Sequence, residues 1–199
     1  MDRRIIIFGV SILVAFLVCS EAPFVKMTNA VCKSLNESWV VIHYCRLKAY
    51  SRNKTSLNIN ATLSEPTNNI SVRIRLMKKA NGYKPFLFDI TINACDFMRK
   101  NNNPVAKIIY NMIKDVSTVN HTCPYSGLQM LSDFHVVKIP VPLPTGDYLL
   151  LLDWIFFAKT QFVTNVYFTF VEDLIEKTNK QQKVYSPKDL TNILTSKLI

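Results

Sequence analysis

The stretch CDFMRKNNNPVAKIIYNMIKDVSTVNHTC, Cys95 to Cys123, decides how this chain is read. A cysteine stands at each end. Between them Val105, Ile108, Ile109, Met112, Ile113 and Val116 recur at steps of three, one, three, one and three. Only a 3.6-residue period puts all six on one face. Asn103 is suited to cap the start, and Pro104 suits the first helical position, where its missing N–H costs nothing. The spacing predicts one amphipathic helix over about residues 104–116. The sequence on either side reads as β-strand, so the helix is expected to lie on or beside a sandwich of sheets.

Upstream, Trp39 to Leu47 is rich in β-branched and aromatic residues and reads as a strand. Leu57, Ile59, Ala61 and Leu63 alternate with Asn58, Asn60 and Thr62. Ile70, Val72, Ile74 and Leu76 alternate with Ser71, Arg73 and Arg75. A period of two marks half-buried strands. Pro66, Asn68 and Asn69 lie between these runs, so the two are expected to form a hairpin. Asn81-Gly82 is a second turn signal. Phe86, Phe88, Ile90 and Ile92 then alternate, and Pro85 restricts their strand to an edge or a bulge.

Downstream of Cys123, the chain returns to strand through Pro124, Tyr125, Ser126 and Gly127. Val137, Ile139, Val141 and Leu143 alternate around Pro140 and Pro142, which predicts an edge strand or a segment that switches sheets. Tyr148 to Lys159 is apolar on both faces over most of its length and reads as a central strand. Leu150, Leu152, Trp154 and Phe156 share one of its sides. Phe162, Val166, Phe168 and Phe170 form the last apolar stripe, with Thr164 as an exception. Seven or eight short strands at this spacing argue a mainly β chain folded as a two-sheet sandwich. From Glu172 the composition turns polar. Ser186, Pro187, Lys188 and Asp189 resemble a capping box before a short terminal helix or a frayed tail over 172–199.

At the other terminus, Arg3 and Arg4 precede Ile5 to Val18, which is apolar apart from Gly9 and Ser11. That run is short for a membrane span and suits a signal peptide over 1–20, cut between Ser20 and Glu21, with an uncleaved anchor as the alternative. The sandwich is then expected over 21–171. Four cysteines remain: Cys32, Cys45, Cys95 and Cys123. An even number behind a secretory leader implies disulfides. Three pairings are possible. Cys32–Cys45 with Cys95–Cys123 is favoured, the first closing a hairpin-sized loop and the second clamping the helical excursion. Sequons at Asn36, Asn53, Asn60, Asn69 and Asn120 fit the same extracellular compartment as glycosylation sites.

The formal net charge is +10. Between Arg46 and Lys84, nine basic residues stand against a single acid, Glu65. The plain reading is the wet face of a sheet. The sharper one is attraction to an acidic headgroup or partner through Arg73, Arg75, Lys78 and Lys79. Nucleic acid is not expected, since no recognition motif is present.

Catalysis is not expected either. There is no GxSxG turn for acyl transfer and no HExxH for a metal hydrolase. Glycine is scarce, so no phosphate-cradling loop is available and no cofactor is expected. With no CxxC and three scattered histidines, no metal is expected. Asp89 and Asp96 do not fall on a common face. His121 beside Cys123 suggests a Cys–His pair only if that cysteine is reduced. Trp154 and the phenylalanines are core, or the wall of an apolar cavity.

Several short motifs occur together and in order: Cys45-Arg46-Leu47, Asn81 to Leu87 (NGYKPFL), Cys95-Asp96-Phe97, Asn120 to Tyr125 (NHTCPY) and Leu143 to Tyr148 (LPTGDY). Together they resemble a large insect family of secreted proteins, catalogued mainly as a domain of unknown function, that includes the CheB chemosensory proteins. That family is more remotely similar to the ganglioside-activator and ML lipid-recognition proteins. The resemblance spans roughly Cys32 to Phe170. It implies an immunoglobulin-like two-sheet sandwich that opens between its sheets to hold an apolar chain, in a family linked to taste or pheromone sensing. The matched cysteines, turn residues and aromatics would carry over as determinants of the fold. The inward stripes then supply a candidate cavity wall: Ile74, Leu76, Phe86, Phe88, Ile90, Leu150, Leu152, Trp154, Phe156 and Phe168.

The resulting expectation is a secreted, glycosylated binder of a lipid or other hydrophobic small molecule, in contact with a membrane surface or a receptor. Its rivals are an extracellular interaction module with a solid core, and an activator of a lipid hydrolase. An apolar cavity of at least about 300 Å³ favours the first over the second.

Overall fold

A computed structural model describes residues 24–52, 54–136 and 139–172. The leader, the polar tail with its capping box, Asn53, Val137 and Lys138 lie outside the described residues. Eight strands are present among those described: β1 Phe24–Ser34, β2 Val40–Ser51, β3 Lys54–Thr67, β4 Ile70–Ala80, β5 Gly82–Asn93, β6 Tyr125–Phe134, β7 Gly146–Phe156 and β8 Lys159–Val171. Two helices, α1 Ala94–Lys100 and α2 Pro104–Ile113, lie between β5 and β6. The strands form two antiparallel sheets, ordered β1-β8-β7-β4-β5 and β2-β3-β6. The chain is mainly β and the architecture is a two-sheet sandwich.

The strand centred on Leu150 is central, flanked by β8 and β4, in keeping with its apolar faces. Pro85 sits on β5, the outermost strand of its sheet, where a missing N–H goes unnoticed. β4 and β5 form a tight hairpin across Asn81 in which Ala80 faces Gly82. Gly82 takes a φ of +83°, a conformation side chains resist.

Three expectations are corrected. First, β3 and β4 do not form a hairpin. β3 belongs to the three-stranded sheet and β4 to the five-stranded one, so the turn at Asn68–Asn69 crosses between layers. Both apolar stripes face the interior, but from opposite sides of it, and alternation alone does not tell these cases apart. Second, of the two readings of the proline-rich run, the edge strand falls and the sheet-switching segment holds: residues 139–145 carry no strand. Pro140 and Pro142 remove two ladder donors, and the segment serves as the sheet-switching connection from β6 to β7. Third, the excursion holds two helices, and the longer one ends at Ile113. The short α1 is capped by Asn93, whose Oδ1 accepts from the Asp96 N–H at 2.9 Å, and ends at Asn101 in the left-handed region.

Both favoured disulfides are formed, Cys32–Cys45 and Cys95–Cys123. The first does not close a hairpin. β1 and β2 lie in different sheets, so this bond fastens one layer to the other along one side of the sandwich. The second bond joins α1 to the segment entering β6.

The candidate ligand cavity

The two sheets are unequal in width, five strands against three. The Cys32–Cys45 bond holds the β1 edge against the β2 edge, so the uncovered part of the wider sheet lies toward β4 and β5. The helical excursion occupies that side. Asn103 Oδ1 caps α2 by accepting from the Ala106 N–H at 3.0 Å. Phe97 of α1 meets Tyr110 of α2 edge to face at 5.8 Å. After α2 the chain joins the free edge of β6: the Ser132 N–H donates to the Val116 carbonyl at 2.9 Å, and the Thr118 N–H to the Met130 carbonyl at 3.0 Å. Near the return, Tyr125 is buried and its hydroxyl donates to the His121 carbonyl. Burial pushes that phenol up from its ordinary pKa.

α2 forms a wall of the interior, with Ile109 packed on one core cluster and Met112 and Ile113 on a second. Between it and the sheets lies an apolar cavity of about 480 Å³. Val105, Ile108, Ile109, Met112 and Ile113 enter it from α2, and Leu57, Ile59, Ala61 and Leu63 from β3. Val136, Ile139, Val141 and Leu143 line it from the β6–β7 connection. The packed core is correspondingly divided. One cluster gathers around Val40, Ile70, Val72, Tyr125 and Phe156, the other around Met27, Leu76, Tyr148 and Phe168. Phe88 and Leu150 touch both. The α2 stripe is only half-buried although it points inward, because it faces a hollow.

Of the ten wall residues expected from sequence, Leu76, Phe88, Leu150, Leu152, Trp154, Phe156 and Phe168 line the cavity. The other three are packed instead. Ile74 and Ile90 belong to the first cluster, and the Phe86 ring lies 5.8 Å from that of Tyr148. Sequence reasoning missed the contribution of α2 and β3 to the wall. Their stripes were visible, but not that both face the same space. Leu87 was also missed. It takes a φ of +67° at a bulge in β5, touches the cavity and is 61% exposed, so the hollow meets solvent there.

The four basic residues expected at a headgroup site are not one patch. Arg73, Arg75 and Lys79 leave the outer face of the five-stranded sheet and pair with Asp89, Asp153 and Asp147 at 2.7, 2.7 and 3.5 Å. Lys78 has the parity of Leu76 and points to the other face. The hydrogen bond from Arg73 holds the Asp89 carboxyl below its ordinary pKa, and that from Arg99 does the same for Asp96. These two aspartates thus serve separate ion pairs. Cys123 is oxidised, and the His121 ring packs at 4.4 Å against Tyr125. His43 bonds Thr62 on the outer face, and His135 is exposed. Among the described residues no three His, Cys, Asp or Glu side chains gather to hold a metal.

Asn69 and Asn120 are exposed on connections. Asn36 is half-buried, and its Oδ1 accepts from both the N–H and the hydroxyl of Ser38. Asn60 lies on the outer face of β3, half-buried. No helix among the described residues is long and apolar enough to cross a membrane.

Fold and site together define a disulfide-fastened β-sandwich with an apolar hollow walled by a helical insertion. Residues 72–150 match the model of a family described as "Protein of unknown function (DUF1091)". That similarity covers less than the motifs suggested: it runs from β4 into β7, taking in both helices, and omits β1 to β3 and β8. The chain matches no curated protein.

Proposed function

We propose that this protein is a secreted carrier that binds a lipid or other hydrophobic small molecule between its sheets and catalyses no reaction. The observation that carries the reading is the apolar cavity of about 480 Å³. Specific ligand pockets fall at about 300–1,000 Å³, and burial of apolar area at about 25 cal/mol per Å² supplies affinity with few polar contacts. A solid-core interaction module would have interdigitated sheets here, so the hollow disfavours that rival. Secretion is supported by the apolar leader and by two disulfides, which persist in oxidising compartments. A role in chemosensation, with a semiochemical as the guest, is supported by the resemblance to the CheB proteins and more distantly to the ML lipid-recognition proteins.

The test is uptake of the fluorescent apolar probe N-phenylnaphthylamine by delipidated protein recovered from a secretory host. Saturable uptake is expected. Ile109→Trp, which fills the hollow from α2, should abolish uptake and leave the far-ultraviolet spectrum unchanged. Absence of uptake by the wild-type protein after lipid extraction would overturn the proposal.

A further inference from the structure

Beside the cavity, though not part of its lining, two lysines stand directly opposite one another. Lys78 on β4 is in register with Lys84 on β5. Such a pair shares one face, with Cβ atoms about 5 Å apart, and like charges so placed destabilise a sheet. The face is the inner one, because Lys78 has the parity of Leu76, a cavity wall residue. Leu76 lies two residues back along β4, about 7 Å away.

The Lys78 side chain is held in position. Its Nζ lies 5.6 Å from the centroid of Phe86 and 5.7 Å from that of Tyr148. Tyr148 in turn stacks at 5.3 Å on Phe168, which lines the cavity. A Cβ on Gly146 would come within 3.2 Å of Lys78 Cε, so a glycine there leaves room for the stem. The carboxylates of this sheet, Asp89, Asp147 and Asp153, are engaged by Arg73, Lys79 and Arg75 on its outer face. Among the described residues neither Lys78 nor Lys84 has an ion-pair partner. Lys84 is exposed and lies three residues from Leu87, where the hollow meets solvent.

Two adjacent cations with no counter-charge among the described residues, beside an apolar hollow, complement an amphiphile with an anionic head. We propose that Lys78 and Lys84 together hold the head of a long-chain carboxylate whose tail lies in the cavity. Two ammonium groups can serve the two oxygens of one carboxylate, and the anion relieves their mutual repulsion. The proposal rests on the cavity accepting an apolar guest.

The experiment compares myristate with myristyl alcohol, which has the same tail and no charge, by calorimetry on the intact, delipidated protein. Wild type should bind myristate at least about tenfold more tightly than the alcohol. Lys78→Gln/Lys84→Gln should lose that preference while binding the alcohol as before, and Lys78→Arg should retain it. In thermal unfolding, saturating myristate should raise the wild-type midpoint more than that of the double variant, whereas the unliganded midpoints should not fall on removing the lysines. Equal affinity of wild type for acid and alcohol would overturn the lysine assignment and leave the carrier reading standing. Tighter binding of myristyl phosphate than of myristate would overturn the carboxylate class. Failure of either ligand to bind wild type would overturn both proposals.

Discussion

Thr67 is fully buried at the end of β3, and its hydroxyl oxygen finds no partner among the described residues. An unpaired buried hydroxyl lowers stability, and removing it without changing shape restores the loss. Thr67→Val is therefore expected to raise stability by about 1 kcal/mol, read from the urea midpoint at unchanged slope. A lower midpoint would mean that the hydroxyl is satisfied in solution. The same accounting separates the lysines of β4. Lys78 and Lys79 are neighbours in sequence, yet strand alternation sends one inward over aromatic rings and the other outward to Asp147. That much was legible from their adjacency. Which face is the inner one depended on Ile70, Val72, Ile74 and Leu76, and that stripe was legible too.

Among the elements, α2 matters most to the site, because its half-buried stripe supplies a wall of the cavity. Its hold on the fold combines the Asn103 cap, the Phe97–Tyr110 contact, the rungs that follow it on β6 and the packing of half-buried Ile109, Met112 and Ile113 on the core. Asn103→Ala removes the cap and should cost about 1 kcal/mol. Because the helix faces a hollow, the loss should appear first as local opening. Amide exchange should rise across residues 104–113 while β7 and β8 stay protected. Uniform acceleration throughout would show instead that α2 unfolds only with the whole. The existence of α2 was legible from its 3.6-residue stripe and its Asn-Pro start. The short α1 was not, since seven residues give too little periodicity to see, although Asn93 and Asn101 are the capping types its ends require.

For the molecule as a whole, the two disulfides have different duties. Cys32–Cys45 fastens sheet to sheet along one side, whereas Cys95–Cys123 ties the helical insertion to the strand that follows. Replacing Cys32 and Cys45 by serine should lower global stability by about 2–4 kcal/mol. Replacing Cys95 and Cys123 should cost a similar amount globally, and should in addition weaken probe binding at temperatures where the sheets remain folded. Parallel loss of binding and of far-ultraviolet signal in both variants would deny the second bond a separate role.

The sequence by itself determined most of the strands though not β1, the longer of the two helices, the confinement of Pro85 to an edge or a bulge, the favoured cysteine pairing and most of the apolar wall on β7. These are local matters, carried by periodicity, turn chemistry and residue type. Only the tertiary structure decided that β3 and β4 face each other across the interior, that the proline-rich run after β6 is a connection, and that five strands lie over three. The reason is that an apolar stripe records only that a face is buried. Which opposing face it meets, and whether the two touch or stand apart around a hollow, is settled when all the layers pack at once.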